Sequence, residues 1–353
     1  MDLSYFDYDL PASLIAQNPV KPRRASRLLV SRNDQIVDAG FEDLPLFLNS
    51  GDLLVVNNTK VFPALLIGYK KNRANLDPNR NPGAKISINL DTQNQNGHWS
   101  CLGKPLRKLR INDSIQFGEK LEGEIIRIDG KWCEIAFNMQ GDEFYKAVYS
   151  VGHTPLPSYI STKRSETSAD QENYQSYFAQ ELGAVAAPTA SLHFDELIVS
   201  KLKEKGVRIT ELTLHVGAGT FLPMTSDKIS DHKIHGEWGC LSQSAVDEIL
   251  KAKRNKHRVI AVGTTSLRLM ETAAKDGKIK AWEGMTDLYI TPGFDFKVAD
   301  GLLTNFHLPK SSLLVLVAAF IGGEKMKKIY RHAVNEQYRF LSYGDSSLLL
   351  NSA

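Results

Sequence analysis

Four segments of the sequence place histidine or arginine beside small and hydroxyl-bearing residues within apolar stretches. They are Gly183–Phe194, Thr213–Phe221, Val262–Arg268 and Leu303–Lys310. Small residues let a ligand approach the backbone, Thr and Asn give directed hydrogen bonds, and His exchanges protons near neutral pH. Burial of such groups costs free energy unless they are partnered or used, so these segments are candidates for a functional site.

Each candidate also has a structural explanation. A single His among apolar residues is more often a hydrogen-bonded core residue than a catalytic group, although three in such similar settings weaken that explanation. The Gly-Thr-Thr turn after an apolar stretch places Thr264 and Thr265 where α/β proteins bind ligands. A capped helix start at either threonine fits the same residues equally well.

The common nucleotide-binding, hydrolase and metal motifs are absent from the sequence. Each Gly-Lys pair is followed by Pro, Trp or Ile, which excludes a phosphate-binding P-loop. The G-x-G that begins at Gly217 lacks the third glycine of a dinucleotide fingerprint, and no Ser lies in G-x-S-x-G. His232, His235 and Glu237 match no zinc-site pattern, so no metal is expected.

The composition is typical of a globular protein with about two domains. The chain has 353 residues, of which 42% are hydrophobic and 24% charged. Its three cysteines are too widely spaced for a disulfide framework or a cysteine zinc site. No secretory signal is recognised, and the longest apolar run, Leu313 to Ile321, is far shorter than the roughly 20 residues that a bilayer requires. We therefore expect a cytoplasmic protein without a membrane segment.

Positive charge is concentrated in one part of the chain. The whole sequence carries a net charge of only +3, whereas residues 66–110 hold nine Lys or Arg against Asp77 and Asp91, a local balance of +7. A local basic field attracts a polyanion such as RNA. Solvated loop lysines explain the same charges equally well.

The two ends of the chain have an α/β pattern. In the first 65 residues, the apolar stretch Leu53–Val56 predicts a short buried strand that ends at Asn57-Asn58. After residue 150, helical and strand patterns alternate, with predicted helices over 194–205 and 243–253 and a buried strand over 258–262. Such alternation indicates α/β architecture.

The middle of the chain has an all-β pattern. Short alternating stretches follow one another over residues 66–149, and Asp129-Gly130 between two of them predicts a hairpin with a primed turn. The fold class is therefore α/β. A larger, barrel-like α/β domain is built from residues 1–65 and 150–353, and a small all-β barrel domain is inserted over residues 66–149.

Motifs along nearly the whole chain resemble one known family, the S-adenosylmethionine:tRNA ribosyltransferase-isomerases of queuosine biosynthesis. Besides the four segments above, they are Tyr8-Asp9-Leu10-Pro11, Arg23–Val30, Gly51–Lys60, Trp99–Pro105 and Tyr343-Gly344-Asp345. Ile234-His235-Gly236-Glu237 departs slightly, since the family usually has Met-His-Ser-Glu there, but His235 and Glu237 are retained.

This resemblance implies a reaction in which S-adenosylmethionine is consumed as a substrate. Its ribosyl part would pass to the aminomethyl group of 7-aminomethyl-7-deazaguanine at the wobble position of a tRNA. Adenine and methionine would leave, and the product would be epoxyqueuosine. The family implies a monomer with no metal or other cofactor.

The implied chemistry needs a base beside the sulfonium, a proton donor for adenine and a neutral amine, so groups titrating near pH 7 are expected. The available catalytic candidates are His193, His215, His235, Glu237 and His307. Arg268 with Thr264 and Thr265 suits an anionic group, which is either the carboxylate of the methionine moiety or a phosphate of tRNA.

Further candidates would contact the rest of the substrates. Asn57, Thr59 and Asn305 suit base or ribose edges. Asp345 is either opposed to the sulfonium charge or a turn residue beside Gly344. Two functions of other classes stay open: an RNA-binding module without catalysis, and a methyltransferase that would share the donor.

Docking of tRNA on the inserted domain can be tested through the salt dependence of binding. Replacing Lys104, Arg107 and Lys108 together by Ala should weaken tRNA binding and flatten the slope of log affinity against log salt. Each lost phosphate contact changes that slope by roughly 0.7 to 0.9. An unaltered slope in the folded variant, measured by filter binding, would contradict docking on the inserted domain. The alternatives are that these side chains are merely solvated, or that the RNA docks on Arg23, Arg24, Lys163 and Arg164 of the larger domain.

Overall fold

The computed structural model describes residues 1–33, 35–71, 83–222, 224 and 226–350. The strands within these ranges are β1 (Arg27–Arg32), β2 (Gln35–Gly40), β3 (Leu53–Asn57), β4 (Thr59–Val61), β5 (Leu65–Lys70), β6 (Lys85–Gln93), β7 (Trp99–Lys104), β8 (Ser114–Phe117), β9 (Leu121–Asp129), β10 (Trp132–Phe137), β11 (Glu181–Ala184), β12 (Arg208–Leu214), β13 (Glu237–Leu241), β14 (Val259–Val262), β15 (Trp282–Thr286), β16 (Gly301–Asn305) and β17 (Ser346–Leu350). The helices are α1 (Leu44–Phe47), α2 (Gly141–Val151), α3 (Ser158–Ser161), α4 (Asp170–Asn173), α5 (Glu196–Glu204), α6 (Gln243–Arg254), α7 (Thr264–Ala273), α8 (Ser312–Ile321) and α9 (Gly323–Asn335).

Nine strands form the mixed sheet of the larger domain, in the order β15-β13-β12-β3-β14-β16-β17-β1-β2. Its centre, β12-β3-β14-β16, is parallel, whereas β13 and β17 pair antiparallel with their neighbours β12 and β16. Strands from both ends of the chain meet here, since β1 and β17 pair in parallel. The predicted α/β class is confirmed, with the barrel-like domain taking the form of this nine-stranded sheet.

Strand β3 shows why the central strands are apolar throughout. Leu53 and Val55 join a hydrophobic cluster with helices α6 to α9, while Leu54 and Val56 join a second cluster with Phe194 and helix α5. Because successive side chains of a strand point to opposite faces, a strand covered on both faces needs an unbroken apolar run. Leu53–Val56 provides that run.

The predicted helices are present with small shifts of their ends. The pattern over 194–205 gives α5, where Asp195 caps the first turn by accepting from the Ile198 N–H at 3.1 Å. The pattern over 243–253 gives α6, capped in the same way by Ser242. The apolar run from Leu313 belongs to the buried helix α8. Across the described ranges, each helix is too short or too polar to traverse a membrane.

The inserted unit is a closed barrel with the strand order β10-β7-β6-β5-β8-β9. Alternate residues of β6 point into its core, which confirms the predicted small barrel. The hairpin is also confirmed, but Asp129 pairs with Trp132, so the turn residues are Gly130 and Lys131. Gly130 has φ of +60°, as a type II′ turn requires at its first central position. The exact domain boundaries at residues 65 and 150 stay a prediction.

One buried ion pair joins two central strands at their amino ends. Asp52, just before β3, accepts from the backbone N–H of Asn49 at 2.7 Å and from that of Arg258 at 3.1 Å. The Arg258 side chain, just before β14, donates to the same carboxylate and to the Phe47 carbonyl at 3.1 Å. The pair therefore holds the two strands in register.

Replacing Asp52 by Ala should lower the free energy of unfolding by about 3 kcal/mol, because it leaves a partly buried guanidinium without its carboxylate. Urea denaturation would measure the change. The control is Asp295→Ala, which removes an exposed pair with Lys297 and should cost less than about 1 kcal/mol. Equal losses in the two variants would contradict the role given to Asp52.

Candidate active site

The four predicted segments meet at one edge of the large sheet. Gly263 follows β14, and Phe306 and His307 follow β16 at the carboxyl ends of two adjacent parallel strands. His215 follows β12, which lies in the same parallel group. In open α/β sheets, this edge is where ligands bind.

A cavity of about 400 Å³ opens at this edge, and we name it the strand-end cavity. Its walls include Tyr159 and Tyr174 from the segment before β11 and Phe306 from the end of β16. The predicted residues that line it are Glu237, Thr264, Thr265, Arg268, Asn305 and His307. Half of the twelve predicted catalytic and substrate-binding residues are thus gathered around one space.

The start of helix α7 leaves the Thr265 hydroxyl without a hydrogen-bond partner among the described residues. Gly263 occupies the N-cap position and no side chain caps the helix. The sequence-based alternative, a cap formed by Thr264 or Thr265, is therefore wrong. Within the described part of the chain, the Thr265 Oγ1 atom is buried without a hydrogen-bond partner. A helix N-terminus with a free hydroxyl is a favourable place for an anionic group.

Arg268, one turn into α7, forms a buried ion pair with Glu237 of β13. Its Nη1 donates to Glu237 Oε2, and its Nε donates to the Leu288 carbonyl at 3.1 Å. Its Nη2 is buried and has no partner among the described residues. The protein thus uses two donor nitrogens of the guanidinium group of this cavity-lining residue and leaves the third, Nη2, without a partner.

A second cavity of about 440 Å³ lies beside the first, and we name it the barrel-side cavity. Glu237, Arg268, Thr220, Leu222, Ser312 and Leu313 line both spaces. The barrel-side cavity also contains His232 and His235, as well as Asp91 and Lys131 from the inserted barrel. Across the described ranges, no three His, Cys, Asp or Glu side chains gather as metal ligands do. The Glu237–Arg268 pair is thus among the residues that lie between the two cavities.

Two carboxylates hold the Gly-Ala-Gly loop between the cavities. Glu237 Oε1 accepts from the Gly217 N–H at 3.1 Å, and Asp91 Oδ1 accepts from the Ala218 N–H at 2.5 Å. A Cβ atom on Gly217 would lie 2.5 Å from Asp91, and one on Gly219 would lie 2.9 Å from the His235 ring. These glycines are needed because two side chains approach the backbone closely, which explains the incomplete dinucleotide motif.

Asp91 is the main residue of the site that the sequence argument did not single out. It appeared only as one of two acids in a basic stretch. An available signal was the alternation of β6, where Ile86, Ile88 and Leu90 fill the barrel core and Asp91 follows them. Burial raises the pKa of Asp91 to about 6, and the charge of Glu237 adds to that shift, against the effect of the Ala218 N–H. Asp91 therefore titrates near the neutral range that the chemistry requires.

Burial lowers the pKa of three predicted histidines. It lowers that of His307 to about 3 and those of His193 and His215 to about 4. His307 lines the strand-end cavity with its Nε2 atom 3.1 Å from the Thr304 hydroxyl. These rings are neutral at pH 7, so they can act as hydrogen-bonding groups but are weak bases. His235 is exposed and packs against Trp132 of β10, with ring centroids 5.0 Å apart.

The remaining predicted residues lie outside both cavities. His193 pairs with Ser26 at 2.7 Å, and His215 pairs with Thr59 at 2.7 Å and stacks on Trp238. Asn57 bonds to the backbone of β12, accepting from Leu214 and donating to its carbonyl. Asp345 is buried and accepts from the backbone N–H groups of Arg27 and Arg339. For these five side chains, the structure therefore provides structural contacts rather than a place at a cavity.

The basic residues fall into two groups. Lys104, Arg107 and Lys108 are exposed on the barrel, as a polyanion surface requires. Arg23 instead donates to the carbonyls of Glu172 and Gln175, and Arg24 pairs with Asp195 at 2.7 Å. The alternative docking surface on the larger domain is thus partly occupied by internal contacts. Residues 72–82 of the basic stretch lie outside the described ranges.

An α/β domain with an inserted barrel, and a two-part cavity at the carboxyl ends of its strands, define an enzyme-like architecture. A family model described as "Queuosine biosynthesis protein" matches residues 3–349. The chain therefore belongs to the queuosine biosynthesis protein family, and the resemblance found in its motifs is confirmed.

Relatives of known name match this chain over nearly its full length. The chain is 51% identical to an S-adenosylmethionine:tRNA ribosyltransferase-isomerase of Ruegeria pomeroyi, over 99% of both chains. It is 44% identical to that of Zymomonas mobilis, again over 99% of both. A crystal structure of S-adenosylmethionine tRNA ribosyltransferase from Thermotoga maritima is 33% identical, with a TM-score of 0.56 over 98% of this chain and 100% of that one. The prediction that this chain is an enzyme is confirmed.

The neutral state of His307 predicts a pH dependence of stability. An unfolded histidine gains its proton near pH 6.5, whereas His307 in the folded protein does so only near pH 3. The contribution of His307 to stability is therefore fully present above pH 6.5 and is lost as the pH falls from 6.5 towards 3, by about 1.4 kcal/mol per pH unit.

His307→Gln should remove this contribution. The difference in unfolding free energy between the two proteins, measured in urea at pH 7, 6 and 5, should shift by about 1.4 kcal/mol per pH unit between pH 6 and pH 5. A difference that does not change with pH would show that His307 titrates normally in the folded protein.

Proposed function

We propose that this enzyme transfers the ribosyl part of S-adenosylmethionine to 7-aminomethyl-7-deazaguanine at the wobble position of tRNA and isomerises it, giving epoxyqueuosine. One N–H of the neutral acceptor amine is replaced by the bond to the transferred group, and adenine, methionine and one proton are released. The donor is consumed as a substrate, and the protein uses no metal or other resident cofactor. The names of the relatives support S-adenosylmethionine as the donor and tRNA as the acceptor.

The observation that carries this proposal is the unpartnered Nη2 atom of Arg268. A buried guanidinium donor without a partner is costly, so a ligand acceptor at that point is favoured. We place the methionine carboxylate there, with the Thr265 hydroxyl and the start of α7 beside it. The Glu237 carboxylate and the Leu288 carbonyl hold the guanidinium so that Nη2 can donate to one oxygen of the ligand carboxylate.

The neighbouring barrel-side cavity accommodates the acceptor base. It lies between the large sheet and the barrel, whose exposed basic residues we assign to the tRNA backbone. Ring surfaces of Trp132 and His235 at this junction suit an extruded base, because aromatic side chains stack on unpaired bases. Donor and acceptor would then meet beside the Glu237–Arg268 ion pair, which lines both cavities.

Of the predicted catalytic residues, His235, Glu237 and His307 stay in this proposal as groups that face substrate. His193, His215, Asn57 and Thr59 act as supports of the strand ends. A cytoplasmic location and a monomeric state remain predictions from the sequence.

Product analysis tests the function directly. The protein, S-adenosylmethionine and tRNA carrying the aminomethyl base should yield free adenine and methionine, detected by liquid chromatography. S-adenosylhomocysteine in their place would indicate a methyltransferase. The absence of any donor turnover with bound tRNA would indicate an RNA-binding module.

The role of Arg268 predicts a selective loss of donor affinity. Arg268→Lys keeps the charge but removes the fork, so the Kd for S-adenosylmethionine should rise about tenfold or more, the effect of one lost charge-assisted hydrogen bond. The affinity for tRNA should not change. Arg254→Lys, an exposed substitution at the end of α6, is the matched control. Unchanged donor binding in folded Arg268→Lys, measured by calorimetry, would remove the carboxylate from this position.

A further inference from the structure

The inserted barrel contributes one carboxylate, Asp91, to the active site. The register of β6 with β7 shifts between Leu90 and Thr92, so Asp91 is the extra residue of a β-bulge. Bulges redirect a side chain out of the regular pattern and occur frequently beside active sites. Asp91 follows the inward-pointing Leu90, so it points away from the barrel core, and it lines the barrel-side cavity.

The two oxygens of this carboxylate differ in their surroundings. Oδ1 is fixed by the Ala218 N–H at 2.5 Å. Within the described residues, Oδ2 accepts only from the Thr92 hydroxyl at 3.4 Å, which is close to the limit of a hydrogen bond. One oxygen is therefore held rigidly by the larger domain, and the other is available to a ligand.

Asp91 also lacks a cationic partner. No Lys, Arg or His in the described ranges forms an ion pair with it, and the nearby Arg268 of the same cavity pairs with Glu237. Lys131 and His235 line the same cavity without a hydrogen bond to it. A partly buried carboxylate without an ion-pair partner is destabilised, so a cationic ligand group would be bound there with a gain in free energy.

We propose that Asp91 is a catalytic base that binds the ammonium form of the acceptor's aminomethyl group and takes one proton from it. The step converts R–CH₂–NH₃⁺ and the Asp91 carboxylate into R–CH₂–NH₂ and the Asp91 carboxylic acid. The lone pair set free on nitrogen is then available to attack the ribosyl carbon. This inference rests on the proposed function, since it assigns the acceptor base to the barrel-side cavity.

The groups around Asp91 are compatible with this role. Burial raises its pKa to about 6, the Glu237 charge raises it further, and the Ala218 N–H and the His235 charge lower it. Cys101, on the paired strand β7, is a neutral thiol because burial raises its pKa. Lys131 is the remaining charged side chain from the barrel in the cavity. Asp91 is thus ionised at pH 8 and protonated at pH 5, so the base is lost as the pH falls through about 6.

The first experiment compares Asp91→Asn with wild type in the adenine-release assay between pH 5 and pH 8.5. Wild-type kcat/KM should fall below about pH 6. The kcat/KM of Asp91→Asn should be about 10²-fold or more lower than that of wild type at pH 8, which is the size of lost general-base catalysis. It should not fall further below pH 6. Asp142→Asn, an exposed change on α2 next to the barrel, should stay within about twofold of wild type. An Asp91→Asn enzyme with wild-type rate and the same acid limb would overturn the proposal.

A binding experiment separates the acceptor amine from the donor sulfonium as the cation. Wild-type protein should bind tRNA with the aminomethyl base more tightly than the same tRNA with guanine at that position, and this advantage should vanish below pH 6. Asp91→Asn should lose the advantage while keeping its affinity for S-adenosylmethionine. Weaker donor binding with an intact amine advantage would assign Asp91 to the sulfonium and overturn the proposal.

The two proposals can fail independently. If wild-type protein releases no adenine, the proposed function is wrong whatever Asp91 does. If wild type is active and binds both tRNAs equally at pH 8, only the role of Asp91 is wrong. This comparison uses wild-type protein alone, so it stands even if Asp91→Asn does not fold.

Discussion

The ion pair between Glu237 and Arg268 is the interaction on which the site depends. Its carboxylate also accepts from the Gly217 N–H, and its guanidinium also donates to the Leu288 carbonyl. The pair therefore ties together β13, α7, the Gly-Ala-Gly loop and the segment after β15. A buried ion pair costs desolvation energy, which here is offset by these additional bonds. What remains, one free guanidinium donor between two cavities, is the feature that a substrate can use.

The inserted barrel completes the second cavity by close contact with the larger domain. Ala218 belongs to the hydrophobic cluster of the barrel, and Asp91 bonds to its backbone N–H. Trp132 packs on His235 from the same side. The barrel thus forms part of the candidate active site, because the loop after β12 is held from both domains. This arrangement explains why small residues at Gly217 and Gly219 are required.

Local patterns in the sequence predicted the elements well, since an apolar run such as Leu53–Val56 and a capping residue such as Asp195 act over a few positions. The motifs also predicted that Arg268, Asn305 and His307 share a site, because strands in parallel bring their carboxyl ends to one edge. The sequence could not distinguish these from His193, His215 and Asp345, whose partners lie more than 150 residues away. Asp91 was missed because its bond with the Ala218 N–H joins positions 127 residues apart, and because the local alternation of β6 indicates only that Asp91 points away from the barrel core.

A crystal structure of the protein with S-adenosylmethionine is the most direct measurement of the central claim, that the Glu237–Arg268 pair divides a donor site from an acceptor site. The methionine carboxylate should lie within hydrogen-bond distance of Arg268 Nη2 and the Thr265 hydroxyl, with the rest of the donor in the strand-end cavity. The barrel-side cavity should hold no part of its adenine. A donor whose carboxylate is bound elsewhere, or whose adenine fills the barrel-side cavity beside Asp91, would contradict the claim.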